Sequence, residues 1–221
     1  MHDYDLDELT AELGERFDIL TVELKAYAAN GSIHTAIEAA WLLLEAHHVR
    51  LEEVDRITVS TSTLTYEHTN AVYRPESVTY AQFCIPYCVA AMLAEGDMFV
   101  DQCTEEKIAD PALIDVAGRV EVRSSPEIDA LGAYGQRRAR VEVRLRNGRV
   151  HDADVEHRPG SPSNPLTTEQ ITNKFMRLAT HVVTEGRARR IAQMVMELDT
   201  LRDVAALAVE SPGSAPSGAA D

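Results

Sequence analysis

The chain has 221 residues, of which 45% are apolar and 26% charged, with a formal net charge of −15. That balance supports one large domain with a real core, and its acidity argues against a nucleic-acid or anionic-membrane surface, which would repel it. Its three cysteines are too few and too oddly counted for a disulfide framework. The opening stretch is acidic and no apolar run reaches membrane-spanning length, so a cytoplasmic location is expected.

Taken in chain order, an acidic helical lead-in is expected over 1–18, with a short helix from Asp5 stopped by Gly14. Leu20, Val22 and Leu24 alternate with polar residues as in a strand, which puts Lys25 on the face opposite the apolar set. The loop Ala28-Ala29-Asn30-Gly31 follows, and Ser32 is the expected N-cap of a helix whose core ladder is Ile33, Ala36, Ile37, Ala40, Trp41 and Leu44. Arg56 to Thr61 is a second strand, and Leu64 to Glu76 reads as a polar loop. Val78 to Leu93 is apolar on nearly every side, predicting a buried helix in which Pro86 either makes a kink or marks the first turn.

Asp110-Pro111 opens a short helix to Ala117, and Arg119 to Arg123 is a strand. A hairpin is expected over 139–156, with a type I′ turn at Asn147-Gly148 and a bulge between Val150 and Ala153, where the apolar phase shifts. Thr167 and Gln170 form a capping box, Gly186 should end or bend that helix, and Ala188 to Leu201 should form another. The main domain is placed at 19–209 and a Ser/Pro/Gly/Ala tail at 210–221. Helices and strands without regular βαβ alternation predict an α+β fold with a largely antiparallel sheet packed with helices.

No phosphate loop, dinucleotide fingerprint, nucleophile elbow or zinc-protease motif is present. Cys84 and Cys88 have the spacing of two metal ligands, but no histidine or cysteine pair accompanies them, so no metal is assigned. The chemistry converges instead on Lys25 to His34. There a lysine leaves the strand, the loop is built of small residues, and Ser32 and His34 open a helix whose N-terminal N–H groups suit a carboxylate. The alternative is a surface lysine and a capping-region histidine. Tyr87, in an otherwise apolar helix, needs a partner for its hydroxyl, either a neighbouring backbone group or a ligand in a pocket.

Several motifs come in one order: a K-x-Y loop at Lys25, a histidine opening an Ala-rich helix, RITVST, AQFxIPYxVAAMLxxG, VEVRLRNGR, and G-x-P-x-N-P-L-T-x-E-x-x-x-K-F. Together, over about Leu13 to Leu178, they resemble the C-terminal domain of the MmgE/PrpD family, which includes 2-methylcitrate dehydratases and cis-aconitate decarboxylases. The resemblance implies a smaller α+β domain that closes over a large helical one. Their shared site handles di- and tricarboxylic acids without a metal or organic cofactor. It places the family's active-site lysine on Lys25, its helix-opening histidine on His34 and its pocket tyrosine on Tyr87.

Two departures stand out. Ala28 replaces a usual proline, and Asn30 stands where relatives carry histidine or cysteine; Asn30 can bind a substrate but cannot transfer a proton at neutral pH. Because the helical part does not occur in this sequence, the expectation is a split enzyme. Its active site would be completed by a helical MmgE/PrpD N-terminal-type subunit, in a heteromer that can itself repeat. The expected reaction is that of a lyase, dehydration first, with decarboxylation, epimerisation or a non-catalytic binding role as alternatives. Lys25, Asn30, Ser32 and His34 are the candidate substrate-binding residues, and Lys25, His34 and Tyr87 the candidate catalytic ones.

Overall fold

The computed structural model describes residues 7 and 10–210. Where the sequence suggests one domain over 19–209, the described chain divides after Pro165 into two compact units.

The first unit is built on a four-stranded sheet in the order β2-β1-β3-β4. Its elements run α1 (His34–His47), β1 (Val54–Thr61), α2 (Thr63–Thr69), α3 (Val78–Gln82), α4 (Ile85–Glu95), α5 (Glu105–Ile108), α6 (Pro111–Ala117), β2 (Val120–Ser124), α7 (Pro126–Asp129), β3 (Ala139–Leu145) and β4 (Val150–Val155). β1 pairs with β2 in parallel and with β3 antiparallel, and β3 with β4 is antiparallel. The fold is α+β with a mostly antiparallel sheet, as the mixed pattern predicts. Helices α1 and α4 cover one face, where Ile57, Val59, Val141 and Val143 are fully buried. The other face is polar, laced by pairs such as Arg56–Glu121 and Arg140–Asp152. This one-sided burial is what the alternation from Ile57 to Thr61 in β1 and along β3 records.

Helix α4 is the centre of the core, with every residue from Ile85 to Leu93 buried. The expected single helix over 78–93 is broken at Phe83–Cys84, so Pro86 occupies the first turn of α4, where its missing N–H costs nothing. Cys84 and Cys88 donate their thiols to the carbonyls of Ala71 and Ala81, and burial pushes the Cys84 thiol up to about 11. Among the described residues no cluster of three or more metal-ligating side chains occurs.

Several local expectations are corrected. Leu20 to Leu24 is not a strand: Asp18–Thr21 is a 3-10 turn, and the stretch after it is extended but outside the sheet. Its alternating apolar residues are therefore uncovered, with Leu20 76% and Val22 57% exposed. The segment expected to be a loop from Leu64 opens inside helix α2, which Ser62 caps by accepting from the Thr65 N–H. In α1 the core ladder takes Leu43 rather than Trp41, which is 37% exposed.

The hairpin turn is not type I′, which needs positive φ at both central residues; only Gly148 is left-handed, at φ 85°. Instead the Gly148 N–H donates to the Leu145 carbonyl and the Leu145 N–H to the Arg149 carbonyl, a three-residue loop. β3 and β4 pair without a register shift; the irregularity lies between Val54 and Arg56 of β1. The apparent change of phase in β4 is resolved by His151, which takes the inner face and stacks on His47 of α1 with ring centroids 4.0 Å apart.

The second unit holds α8 (Thr168–Ala179), α9 (Glu185–Met196) and α10 (Ala205–Glu210). The capping box is present: the Gln170 N–H donates to Thr167 Oγ1 at 3.2 Å and the Thr167 N–H to Gln170 Oε1 at 2.8 Å. Gly186 lies in the first turn of α9 and ends no helix, and the helix expected over 188–201 stops at Met196. Of the expected lead-in helix, residues 10–15 form turns and most of the rest lies outside the described residues, as does the tail beyond Glu210.

Tyr87 is fully buried, stacks on Tyr73 at 4.8 Å between centroids, and donates its hydroxyl to the Gln102 carbonyl at 2.5 Å. Burial pushes the phenol pKa upward, so it stays protonated. Tyr87→Phe should lower stability by about 1–3 kcal/mol, because the Gln102 carbonyl is left buried with one acceptor unmet. Urea melts measure that loss. If stability held and turnover of an assembled enzyme fell instead, the hydroxyl would have a role outside the core.

Candidate anion site at the start of the first long helix

The loop entering α1 is pinned from below. The Ala28 N–H donates to the Met98 carbonyl at 3.1 Å, the Asn30 N–H to the Gln82 carbonyl at 2.9 Å, and Gln82 Nε2 to the Ala28 carbonyl at 2.9 Å. The chain then turns through a 3-10 step, Gly31–Ile33, into α1. The cap is Asn30 rather than Ser32: Asn30 Oδ1 accepts from the Ser32 N–H at 2.8 Å, and the Asn30 carbonyl accepts from the Ile33 N–H at 3.0 Å. Two of the first donors are thus taken by Asn30, and Ser32 sits half-buried inside the turn it was expected to open. An anion here draws on side-chain charge and the helix dipole more than on free N–H groups.

Lys25 supplies one charge. It is exposed at the end of the uncovered segment, one residue after Leu24, whose N–H donates to the Gly160 carbonyl at 2.9 Å. His34 is placed differently. Its ring is 1% exposed, lies edge-on to Tyr27 at 5.5 Å and has Nε2 3.4 Å from the Ala29 carbonyl. A ring nitrogen facing a carbonyl acts as the donor, and the ring is enclosed by its own chain. His34 therefore shapes the loop, and Tyr87 belongs to the core; the structure does not bring either to the Lys25 surface.

Three residues that the sequence did not single out as site residues take part. Tyr27 donates its hydroxyl to Glu38 in a short bond, and burial, reinforced by that carboxylate, holds the phenol protonated. Arg158, from the loop after β4, is the second. Its guanidinium pairs with Glu23, and a Cβ added at Gly31 would lie 2.9 Å from its Nη1, so it rests against the start of α1. Arg137 is the third: its Nη1 lies 3.2 Å from Glu23, and its carbonyl accepts from Thr35 Oγ1 in the first turn of α1 at 2.5 Å. The two arginines come from 102 and more residues downstream of this turn, beyond the reach of any local pattern.

The MmgE/PrpD C-terminal domain model matches residues 27–200. The chain is 29% identical over 211 residues to the cis-aconitate decarboxylase-like protein oryM of Aspergillus oryzae, covering 92% of this chain and 43% of that protein. It is 27% identical over 213 residues to the cis-aconitate decarboxylase of Aspergillus terreus, with the same coverage. To the human cis-aconitate decarboxylase it is 24% identical over 202 residues, covering 88% of this chain and 40% of that one. The chain thus spans less than half the length of these curated relatives. With most of its residues matched and the sheet, the buried IPYCVAAML helix and the NGR hairpin in the expected order, the chain belongs to the MmgE/PrpD family and corresponds to its C-terminal domain.

Proposed function

We propose that this chain forms one wall of the active site of a cofactor-independent lyase acting on a di- or tricarboxylic acid, the opposite wall coming from a helical MmgE/PrpD N-terminal-type partner. The observation that carries the reading is the positive charge gathered near the loop that enters α1, in a protein of net charge −15: Lys25 is exposed, and Arg158, paired with Glu23, rests its guanidinium against Gly31. In so acidic a molecule, a local positive spot selects where an anionic substrate settles. Dehydration and decarboxylation both pass through negative charge beside a carboxylate, which such a surface stabilises. The names of the relatives favour decarboxylation as the reaction to assay first.

The partner is supported by uncovered apolar surface. Phe17, Ile19, Leu20, Val22 and Leu24 follow one another along the segment that ends at Lys25, all largely exposed. Contiguous exposed apolar residues of this kind mark interaction surfaces. Co-expression with a helical N-terminal-type chain should give a stable complex that releases CO2 from cis-aconitate or water from 2-methylcitrate, while neither chain does so alone. A stable complex inert toward both substrates, and toward related tricarboxylates, would leave only the binding-module reading.

A further inference from the structure

We infer a second carboxylate subsite in the cavity between Glu23, the segment before β3 and the loop after β4, built from Arg158, Arg137 and Ser161 and occupied by the Glu23 carboxylate. The cavity has a volume of about 340 Å3 and is lined by these four residues together with Gln136 and Ser163, among others. This deepens the proposed function, since it assigns the place of a second carboxylate on the same substrate.

The first observation is unmet hydrogen-bonding capacity. Ser161 is 8% exposed, and its Oγ is buried without a hydrogen-bond partner; Arg158 Nε is in the same condition. Buried polar atoms are nearly always paired, and these two belong to residues that line one cavity, so a group entering it, a water or a ligand carboxylate, would find unmet donors there. The Arg158 side chain is 11% exposed, and a guanidinium has five N–H donors, of which Glu23 engages one edge. A hydroxyl and a guanidinium edge together are the donor set that a carboxylate accepts from both oxygens.

The second observation is charge. Arg158 and Arg137 share the single carboxylate of Glu23. Glu156 also borders the cavity, but its side chain is 56% exposed and lies 3.8 Å from His157 Nε2. When Glu23 leaves, two guanidiniums face one outlying carboxylate. Glu23 lies on an extended segment outside the sheet, so its side chain can swing away from the arginines without breaking a strand pairing. A ligand carboxylate would take over its contacts and add the Ser161 and Arg158 Nε bonds that Glu23 does not make.

The third observation is continuity with Lys25. The Leu24 N–H to Gly160 carbonyl bond joins the two chain segments between Glu23 and Lys25, and Arg158 reaches from there to Gly31. On this proposal one small molecule places one carboxylate at Lys25 and a second at Arg158, which would favour di- and tricarboxylates over monocarboxylates.

The test is an amide-resolved NMR titration of the 221-residue chain with citrate, acetate and inorganic phosphate at low salt, with melting curves for every variant. Citrate should shift the Gly31 and Ser161 amides saturably and bind at least ~10-fold tighter than acetate or phosphate. Glu23→Gln, which removes the competing charge, should tighten citrate by roughly 10-fold, and Arg158→Gln should abolish the Ser161 shift. If Arg158→Gln does not fold, Glu23→Gln decides alone. An unchanged citrate affinity in Glu23→Gln, phosphate binding as tightly as citrate, or no saturable binding to either wild type or Glu23→Gln would each overturn the subsite. Lys25→Ala separates the two readings. Weakened citrate binding there with none of the expected change in Glu23→Gln sinks the subsite and leaves Lys25 standing; the reverse pattern sinks Lys25 alone.

Discussion

Lys25→Ala should weaken tricarboxylate binding by about 1.5–3 kcal/mol, the range for hydrogen bonds to charged groups, which is roughly 10- to 150-fold in affinity. The side chain is exposed and lies outside the sheet and every helix, so its removal should leave the melting temperature nearly unchanged. Lys25→Arg should recover most of the affinity if charge is what matters, and less if the substrate needs a compact ammonium. Calorimetric titration with citrate at low salt, on this chain assembled with a helical partner, reads all three. Added salt should erode the wild-type advantage, because an exposed charge is screened within about 10 Å at 0.1 M. Equal affinities for wild type and Lys25→Ala would make Lys25 an ordinary solvated lysine and remove one of the two cations on which the proposed site stands.

The other large effect should come from Gly160→Ala. Gly160 has φ +87°, a left-handed conformation that costs an L side chain about 1–2 kcal/mol. The added Cβ would also lie 1.8 Å from the Leu24 carbonyl oxygen, an overlap with backbone that no rotamer relieves. The segment must move away, and the Leu24–Gly160 hydrogen bond is lost with it, for a further 0.5–1.5 kcal/mol or so. The sum, about 1.5–3.5 kcal/mol, should lower the melting temperature by roughly 3–14 °C for a unit of this size. Citrate affinity should fall as well, since Glu23 and Lys25 flank the displaced residue. Gly31→Ala is the control. Its Cβ would meet Arg158 Nη1 at 2.9 Å, the far end of a flexible side chain, so stability should change little while the guanidinium is pushed off the helix start. A Gly160→Ala protein that melts like wild type would show that the contact with Leu24 is loose.

How the sequence relates to the structure differs by kind of feature. β1 and β3 were legible because each buries one face, and burial of one face writes a period of two into the residues: Ile57 and Val59 in β1, Val141 and Val143 in β3. The capping box at Thr167 and Gln170 was legible because both partners lie within one turn. Leu20 to Leu24 shows how the same signal misleads. Period two requires only that apolar residues alternate; it does not supply a neighbouring strand, and here those residues stay in solvent. Val78 to Leu93 failed in the opposite way. Burial on all sides erases periodicity, so the break at Phe83–Cys84 left only Pro86 as a trace.

At the candidate site, sequence alone determined which loop carries the lysine, that a helix starts within a few residues of Asn30, and, through the order of its motifs, the family. Those are local properties, fixed by neighbours a few residues apart. Tertiary structure decided the rest. It enclosed His34 and Tyr87, gave the helix cap to Asn30, and brought Arg137 and Arg158 to a turn more than 100 residues upstream. An arginine in a polar loop reads as a solvated charge until folding sets its guanidinium against a glycine and buries its Nε without a partner. The burial and electrostatics that make it a binding group arise from long-range packing, which composition and spacing do not encode.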